Sequence, residues 1–231
     1  MLFKERLLQG TLIKRYKRFF VDIKYKNKTI TAHCPNSGSM LGLLNEGNNV
    51  LFSQSNNPKR KLNYTLQLIE VKKNLVGINT HLTNKIVLET LEKKKIKDLV
   101  KFTNIKTEAK FSDKTRFDFL ISNNKERCFL EVKNVTLTRQ NNIAEFPGAI
   151  TSRGTKHLNE LVSAKKKGYE SYMLYLIQRE DCKSFKIAKD IDEEYKIAFD
   201  NALKNGVKVL CYDWKITHEE IIINNQIHYE K

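Results

Sequence analysis

No stretch of this 231-residue chain approaches the ~18 consecutive apolar residues of a membrane-spanning helix. The N-terminus, MLFKERLLQG, lacks the apolar run of a secretory signal. No basic amphipathic helix stands out as a membrane-surface anchor. Cysteine is scarce: four residues, at 34, 128, 182 and 211, with no Cys-x-x-Cys pair. That argues against a zinc ribbon or a redox dithiol and leaves buried free thiols in a reducing compartment. Together these absences predict a cytoplasmic protein without a membrane partner. There is no internal repeat, low-complexity tail or small-molecule pocket signature. Acidic residues are sparse in the first third: residues 1–80 hold 4 Asp/Glu against 14 Lys/Arg, whereas residues 81–231 hold 22 against 28.

What is present is positive charge, net +16, on a chain that is 40% hydrophobic and so able to bury a core. The partner this implies is polyanionic, nucleic acid ahead of an acidic membrane surface. The first third carries most of the excess cation. The remainder concentrates the carboxylates that chemistry would need.

The patterning changes near residue 80. Residues 11–25 read as one long strand, and 26–28 break it so that 29–34 returns as a hairpin partner. Further short strands follow at 50–53, 63–71 and 75–78. About five strands with little helix predict a small closed barrel of the OB type. From residue 80 the chain reads α-β-β-β-α-β, then a further α-β pair. Thr80 is placed to cap a first helix with a charged continuation through 92–97. Strands are expected at 105–111, 115–122 and 127–135, with a loop at 140–148. A helix over 152–167 stops at Gly168, and one over 191–205 stops at Gly206. Strands 169–178 and 207–212 complete the set. The fold class is therefore mixed α/β, with an OB-like barrel in residues 1–80 and a second domain in residues 81–231.

Asp118 and the run Glu131-Val132-Lys133 are the most informative residues. They fall in the neighbouring strands 115–122 and 127–135. Side chains alternate faces along a strand, so Glu131 and Lys133 point one way while Leu130 and Val132 point the other. By the same rule Phe117, Phe119 and Ile121 share a face, with Asp118 opposite. Two carboxylates and an ammonium then meet on one side of a sheet whose other side is core. Such a set can hold a divalent cation against a phosphodiester. The same alternation also suits charges that merely solvate a wet sheet face.

The arm Lys14-Arg15-Tyr16-Lys17-Arg18-Phe19-Phe20 interleaves cations with rings. In a strand, Lys14, Tyr16, Arg18 and Phe20 share one face, and Arg15, Lys17 and Phe19 the other. Cations meeting phosphates and rings stacking on bases would hold nucleic acid on a barrel. Lys59, Arg60 and Lys61 form a second cluster in a loop.

The hairpin bearing Asp118 and Glu131-x-Lys133, behind a helix and ahead of an α-β unit, resembles the PD-(D/E)xK nuclease superfamily. That resemblance implies Asp118 and Glu131 as ligands to Mg²⁺ (or Mn²⁺) and Lys133 as the electrostatic partner in catalysis. It also implies a third acidic ligand, for which Glu89 and Glu108 compete. A polar residue from the following helix is expected near Lys156 and His157, though His157 also suits a plain surface histidine. Phe117 stands where the superfamily often has proline.

Over nearly the whole chain, longer blocks resemble the sugar fermentation stimulation protein A (SfsA) family. They are residues 11–19, the block His33-Cys34-Pro35-Asn36-Ser37-Gly38-Ser39-Met40, Asp118-Phe119, residues 131–137, and Phe146-Pro147-Gly148-Ala149 running into residues 151–158. Ser37 replaces the family's usual threonine. The resemblance implies an OB-like barrel joined to a restriction-endonuclease-like α/β domain. It also implies a DNA-binding protein linked by name to regulation of sugar catabolism. Single- and double-stranded DNA both stay open as partners, with RNA beside them. The block at 33–40 either touches nucleic acid or closes a turn.

Overall fold

The computed structural model describes residues 1–3 and 5–230. Six strands open the chain: β1 (Leu8–Tyr16), β2 (Phe20–Tyr25), β3 (Lys28–His33), β4 (Asn49–Gln54), β5 (Tyr64–Val71) and β6 (Asn74–Gly77). They hydrogen-bond in the order β3-β2-β1-β4-β5-β6, and β3 also meets β5 in parallel through Ala32↔Tyr64 and His33↔Thr65. That pairing closes five strands into a barrel and leaves β6 as a flap on β5. Leu12, Val21, Ile23, Val50, Phe52, Leu66 and Ile69 fill the interior.

Residues 11–25 are two strands and not one. The chain reverses at Lys17 and Arg18, which take φ of 46° and 62°, so that Tyr16 pairs with Phe20. The expected alternation of Lys14, Tyr16, Arg18 and Phe20 along one face therefore stops at Tyr16. The turn carries no Gly, Pro, Asn or Asp to announce it. Lys72-Lys73 likewise sit at φ of 49° and 68°, the paired left-handed conformation of a two-residue hairpin.

Beyond the barrel, Asn79 caps a 3-10 turn at Thr80–Leu82 by accepting the His81 N–H at 3.1 Å. Helix α1 (Thr83–Glu92) follows. Thr80 is thus in the turn and not the helix cap, and the helix ends at Glu92 instead of running through Lys97. Next come β7 (Asn104–Ser112), β8 (Thr115–Ser122), β9 (Arg127–Val135), β10 (Leu137–Gln140), β11 (Ile143–Phe146) and α2 (Ser152–Lys166). Then β12 (Glu170–Ile177), β13 (Ser184–Ile187), α3 (Glu193–Lys204), β14 (Lys208–Ile216), β15 (Ile221–Gln226) and β16 (His228–Tyr229) complete the chain. Gly168 and Gly206, at φ of +86° and +81°, end α2 and α3 as their positions in the sequence require.

The large sheet runs β15-β14-β12-β9-β8-β7, with β9, β12 and β14 parallel at its centre. A second sheet, β10-β11-β13-β16, includes the segment read as a loop at 140–148; its strands are too short to show a period. The centre of the large sheet is covered on both faces. Ile86, Val87 and Leu91 of α1 pack with Leu130, Leu174 and Trp214 on one side. Leu158, Leu161 and Phe199 of α2 and α3 pack with Phe129, Met173 and Tyr175 on the other. Phe117 belongs to this second side, while Phe119 and Ile121 belong to the first. The strict alternation expected along residues 117–121 breaks at Asp118.

Barrel residues Leu7, Leu51 and Leu68 join the same apolar cluster as α1. Thr80 Oγ1 donates to the Pro35 carbonyl at 2.7 Å, and Ser39 Oγ to the Gly148 carbonyl at 2.8 Å. All four cysteines are buried free thiols. Among the described residues no helix is long and apolar enough to cross a membrane.

Candidate metal and nucleic-acid site

Strands β8 and β9 pair from Ser122↔Arg127 up to Phe119↔Leu130 and no further. Where the ladder stops, the Val132 N–H needs another acceptor. Asp118 Oδ2 supplies it at 2.8 Å. Asp118 Oδ1 accepts from Asn84 Nδ2 at 2.7 Å, which ties α1 to the same carboxylate. The distortion that breaks the alternation is thus what turns Asp118 into the sheet.

Glu131 is buried, at 3% exposure. Its Oε1 accepts from Lys133 Nζ at 2.7 Å and meets His157 Nδ1 of α2. His157 Nδ1 also stands 3.5 Å from Lys133 Nζ. Burial alone would raise the pKa of Glu131, but the Lys133 charge and the His157 contact outweigh it and hold the carboxyl below its ordinary value. Its other oxygen, Oε2, is buried without a hydrogen-bond partner among the described residues. Asp118 moves the other way. Burial first, and the Glu131 charge second, push its pKa up to about 6 against the pull of the Val132 N–H, Asn84 and Lys133.

These features fit a divalent cation. A buried anionic oxygen without a donor is costly, and two carboxylates close enough to repel would both gain from a shared positive charge. Mg²⁺ needs only one or two carboxylates because it keeps several waters. Among the described residues, no three His, Cys, Asp and Glu side chains form a ready metal cage. The structure does not bring in the two candidates for a third acidic ligand. Glu89 pairs with Lys93 and with the Met1 amine, at 2.5 and 3.3 Å. An exposed Glu108 sits on β7 at φ 48°. Helical spacing carries Glu89 past the Asn84 position, and the left-handed backbone at 108 interrupts the expected strand geometry. Asn84 was missed because one Asn in a polar helix start gives no signal. His157, open between a catalytic and a surface role, is buried at 5% exposure and stands beside both Glu131 and Lys133.

The basic arm divides. Arg15 spends its guanidinium on the chain itself: Nε donates to the Arg18 carbonyl at 2.7 Å, Nη1 to Gly38 at 3.0 Å and Nη2 to Asn36 at 2.8 Å. It is a brace for the loop at 36–39, and its donors face carbonyls instead of phosphates. Tyr16 stacks on Phe20 at 5.5 Å and donates to Asp22, with Lys14 Nζ 5.7 Å from the Tyr16 ring centre. Lys17 and Arg18 are exposed at the turn, Lys59 and Lys61 are exposed in the β4–β5 loop, and Arg60 donates to Thr65 at 2.9 Å. A groove of about 650 Å³ runs between the two parts of the chain, lined by Arg15, Arg18 and Asn36 on one side and Asn134, Phe146 and Gly148 on the other. Asn134 follows Lys133 directly on β9.

Fold and site define a two-part architecture, an OB-type barrel set against a mixed sheet flanked by helices. Residues 13–78 match the SfsA N-terminal OB domain, and residues 81–220 match the Sugar fermentation stimulation protein RE domain. The chain belongs to the sugar fermentation stimulation protein (SfsA) family. It is 54% identical over 227 residues to the sugar fermentation stimulation protein homolog of Pelagibacter ubique, covering 98% of each chain. With the homolog from Caulobacter vibrioides it shares 40% over 229 residues, 98% of this chain and 96% of that one. The solved structure of Pyrococcus furiosus SfsA in complex with Ca²⁺ superposes with a TM-score of 0.90 at 23% identity, covering 100% of this chain and 98% of that one.

Proposed function

We propose that this protein binds DNA through the barrel and hydrolyses a phosphodiester at Asp118, Glu131 and Lys133, with Mg²⁺ or Mn²⁺ as cofactor. The observation that carries the reading is Glu131, buried with one oxygen held by Lys133 and His157 and the other without a partner among the described residues. Asp118 and Glu131 would hold the cation. When bound, it would supply Lewis acidity and a water that loses its proton more readily than bulk water. Asn84 and the Val132 N–H fix the Asp118 carboxylate, and His157 and Lys133 fix that of Glu131. The Lys133 ammonium adds a positive charge beside the carboxylates, where phosphoryl negative charge would grow. The Pyrococcus relative, solved with Ca²⁺, supports a hard oxygen-seeking cation in this fold.

The test is cleavage of single-stranded, duplex and branched DNA, and of matched RNA, with Mg²⁺ or Mn²⁺. Wild type should cut at least one substrate, and Asp118→Ala and Glu131→Ala should cut none. No cutting across the panel, or equal cutting by the variants, overturns the catalytic half.

A second reading is a DNA-binding regulator of sugar catabolism genes that keeps the fold without turnover. The observation in its favour is that the Lys133 ammonium already pairs with Glu131 at 2.7 Å. It expects salt-sensitive binding and an uncut panel.

A further inference from the structure

Three rings neighbour one another in turn, Phe19 beside His33 and His33 beside His81, where the barrel leads to α1. Phe19, at the tip of the β1–β2 turn, is 45% exposed. Its centroid lies 6.4 Å from that of His33, with the planes 27° apart. His33 in turn lies 6.4 Å from the exposed His81, with the planes 41° apart. Each step spans about two nucleotide rises of ~3.4 Å along a strand. The row is flanked by the exposed cations Lys17 and Arg18 and by Arg60 in the β4–β5 loop. Burial, then the charges of Arg60 and His81, holds the pKa of His33 below its ordinary value. The far end also points somewhere specific. His81 lies in the turn that enters α1, three residues before Asn84, whose side chain holds Asp118.

We propose that Phe19, His33 and His81 form a stacking track for the bases of an unpaired strand, so that the substrate class of the carboxylate site is single-stranded nucleic acid. This rests on the reading of the barrel as a nucleic-acid binder. Flat rings beside cations favour exposed base faces, because every base offers a π-face and its phosphate an anion. A duplex hides those faces in its own stack. An exposed phenylalanine at a turn tip does no packing for the core. Here it continues a line of rings that the barrel holds in place through β3.

The experiment is fluorescence anisotropy in EDTA, using the full chain. The probes are a fluorescein-labelled DNA of about 12 nucleotides, within the usual span of one OB barrel, its duplex, and the matching RNA. Wild type should bind either single strand more tightly than the duplex. Phe19→Ala should weaken single-strand binding about tenfold and leave duplex binding unmoved, whereas Phe19→Trp should retain it. His81→Ala, on a separate element, should act in the same direction, with unchanged circular dichroism for each variant. Duplex binding equal to or tighter than single-strand binding overturns the track. So does a silent Phe19→Ala when Lys17→Ala/Arg18→Ala weakens binding, and in that case the nucleic-acid reading survives. Absence of binding to every probe overturns both.

Discussion

Gly77 donates its backbone N–H to the Gln178 carbonyl at 2.9 Å, joining the β6 flap to the residue that follows β12. A Cβ at position 77 would lie 2.2 Å from Gln178 Oε1. Gln178 cannot retreat freely, since its Nε2 donates to Thr83 Oγ1 at 3.1 Å and Thr83 donates to Asn134 at 3.1 Å. Gly77→Ala should therefore cost about 1–3 kcal/mol, the usual toll of overpacking. Urea denaturation measures it.

Asp118 sets a pH dependence of stability in the metal-free protein. Its pKa is about 6 when folded, against 3.8 ordinarily. The folded state thus binds more protons than the unfolded one between these values, and stability falls as pH rises through that window. The stabilisation is fully present below about pH 4 and lost above about 6. At ~1.36 kcal/mol per pK unit the loss is at most about 3 kcal/mol. Asp118→Asn should flatten this slope in EDTA and raise the melting temperature at pH 7 relative to wild type. Thermal melts from pH 4 to 7 decide it.

Arg15 and its neighbours should separate by assay. Arg15→Ala leaves the carbonyls of Asn36 and Gly38 without their donor and should destabilise by about 2 kcal/mol, the scale of charged hydrogen bonds. Arg15→Lys should not restore it, because an ammonium cannot span the same fork. Chemical denaturation reads both.

Lys17, Arg18, Lys59 and Lys61 are expected to act on binding and not on folding. Each replaced by Ala should lower the slope of log affinity against log salt by about 0.7–0.9, the share of one phosphate contact. Anisotropy titrations at several salt concentrations give the slope. Melting temperatures should stay put.

Much of this molecule is written in its periodicity. The strands at 115–122 and 127–135 coincide with β8 and β9, because alternating large apolar residues admit no other period. Glu131 and Lys133 share a face for the same reason, and their contact was readable from spacing. Asp118 was legible as a residue but not as a geometry: its carboxylate points where it does because the ladder stops at Phe119↔Leu130, a tertiary event. The Lys17-Arg18 turn escaped because it uses cations where turn chemistry normally advertises itself. Arg15 looked like a phosphate ligand since nothing local reveals that a loop twenty-odd residues away consumes its donors. Strands of four residues such as β11 and β13 are shorter than the windows in which a period can be recognised.

The apolar cluster that spans Leu7, Leu51 and Leu68 of the barrel and Ile86 and Leu91 of α1 makes the chain hard to divide. Severing it near residue 80 would strip oily surface from both fragments at once, so neither half inherits a finished exterior. A foreign barrel would have to present the same common wall to the helix whose Asn84 steadies Asp118.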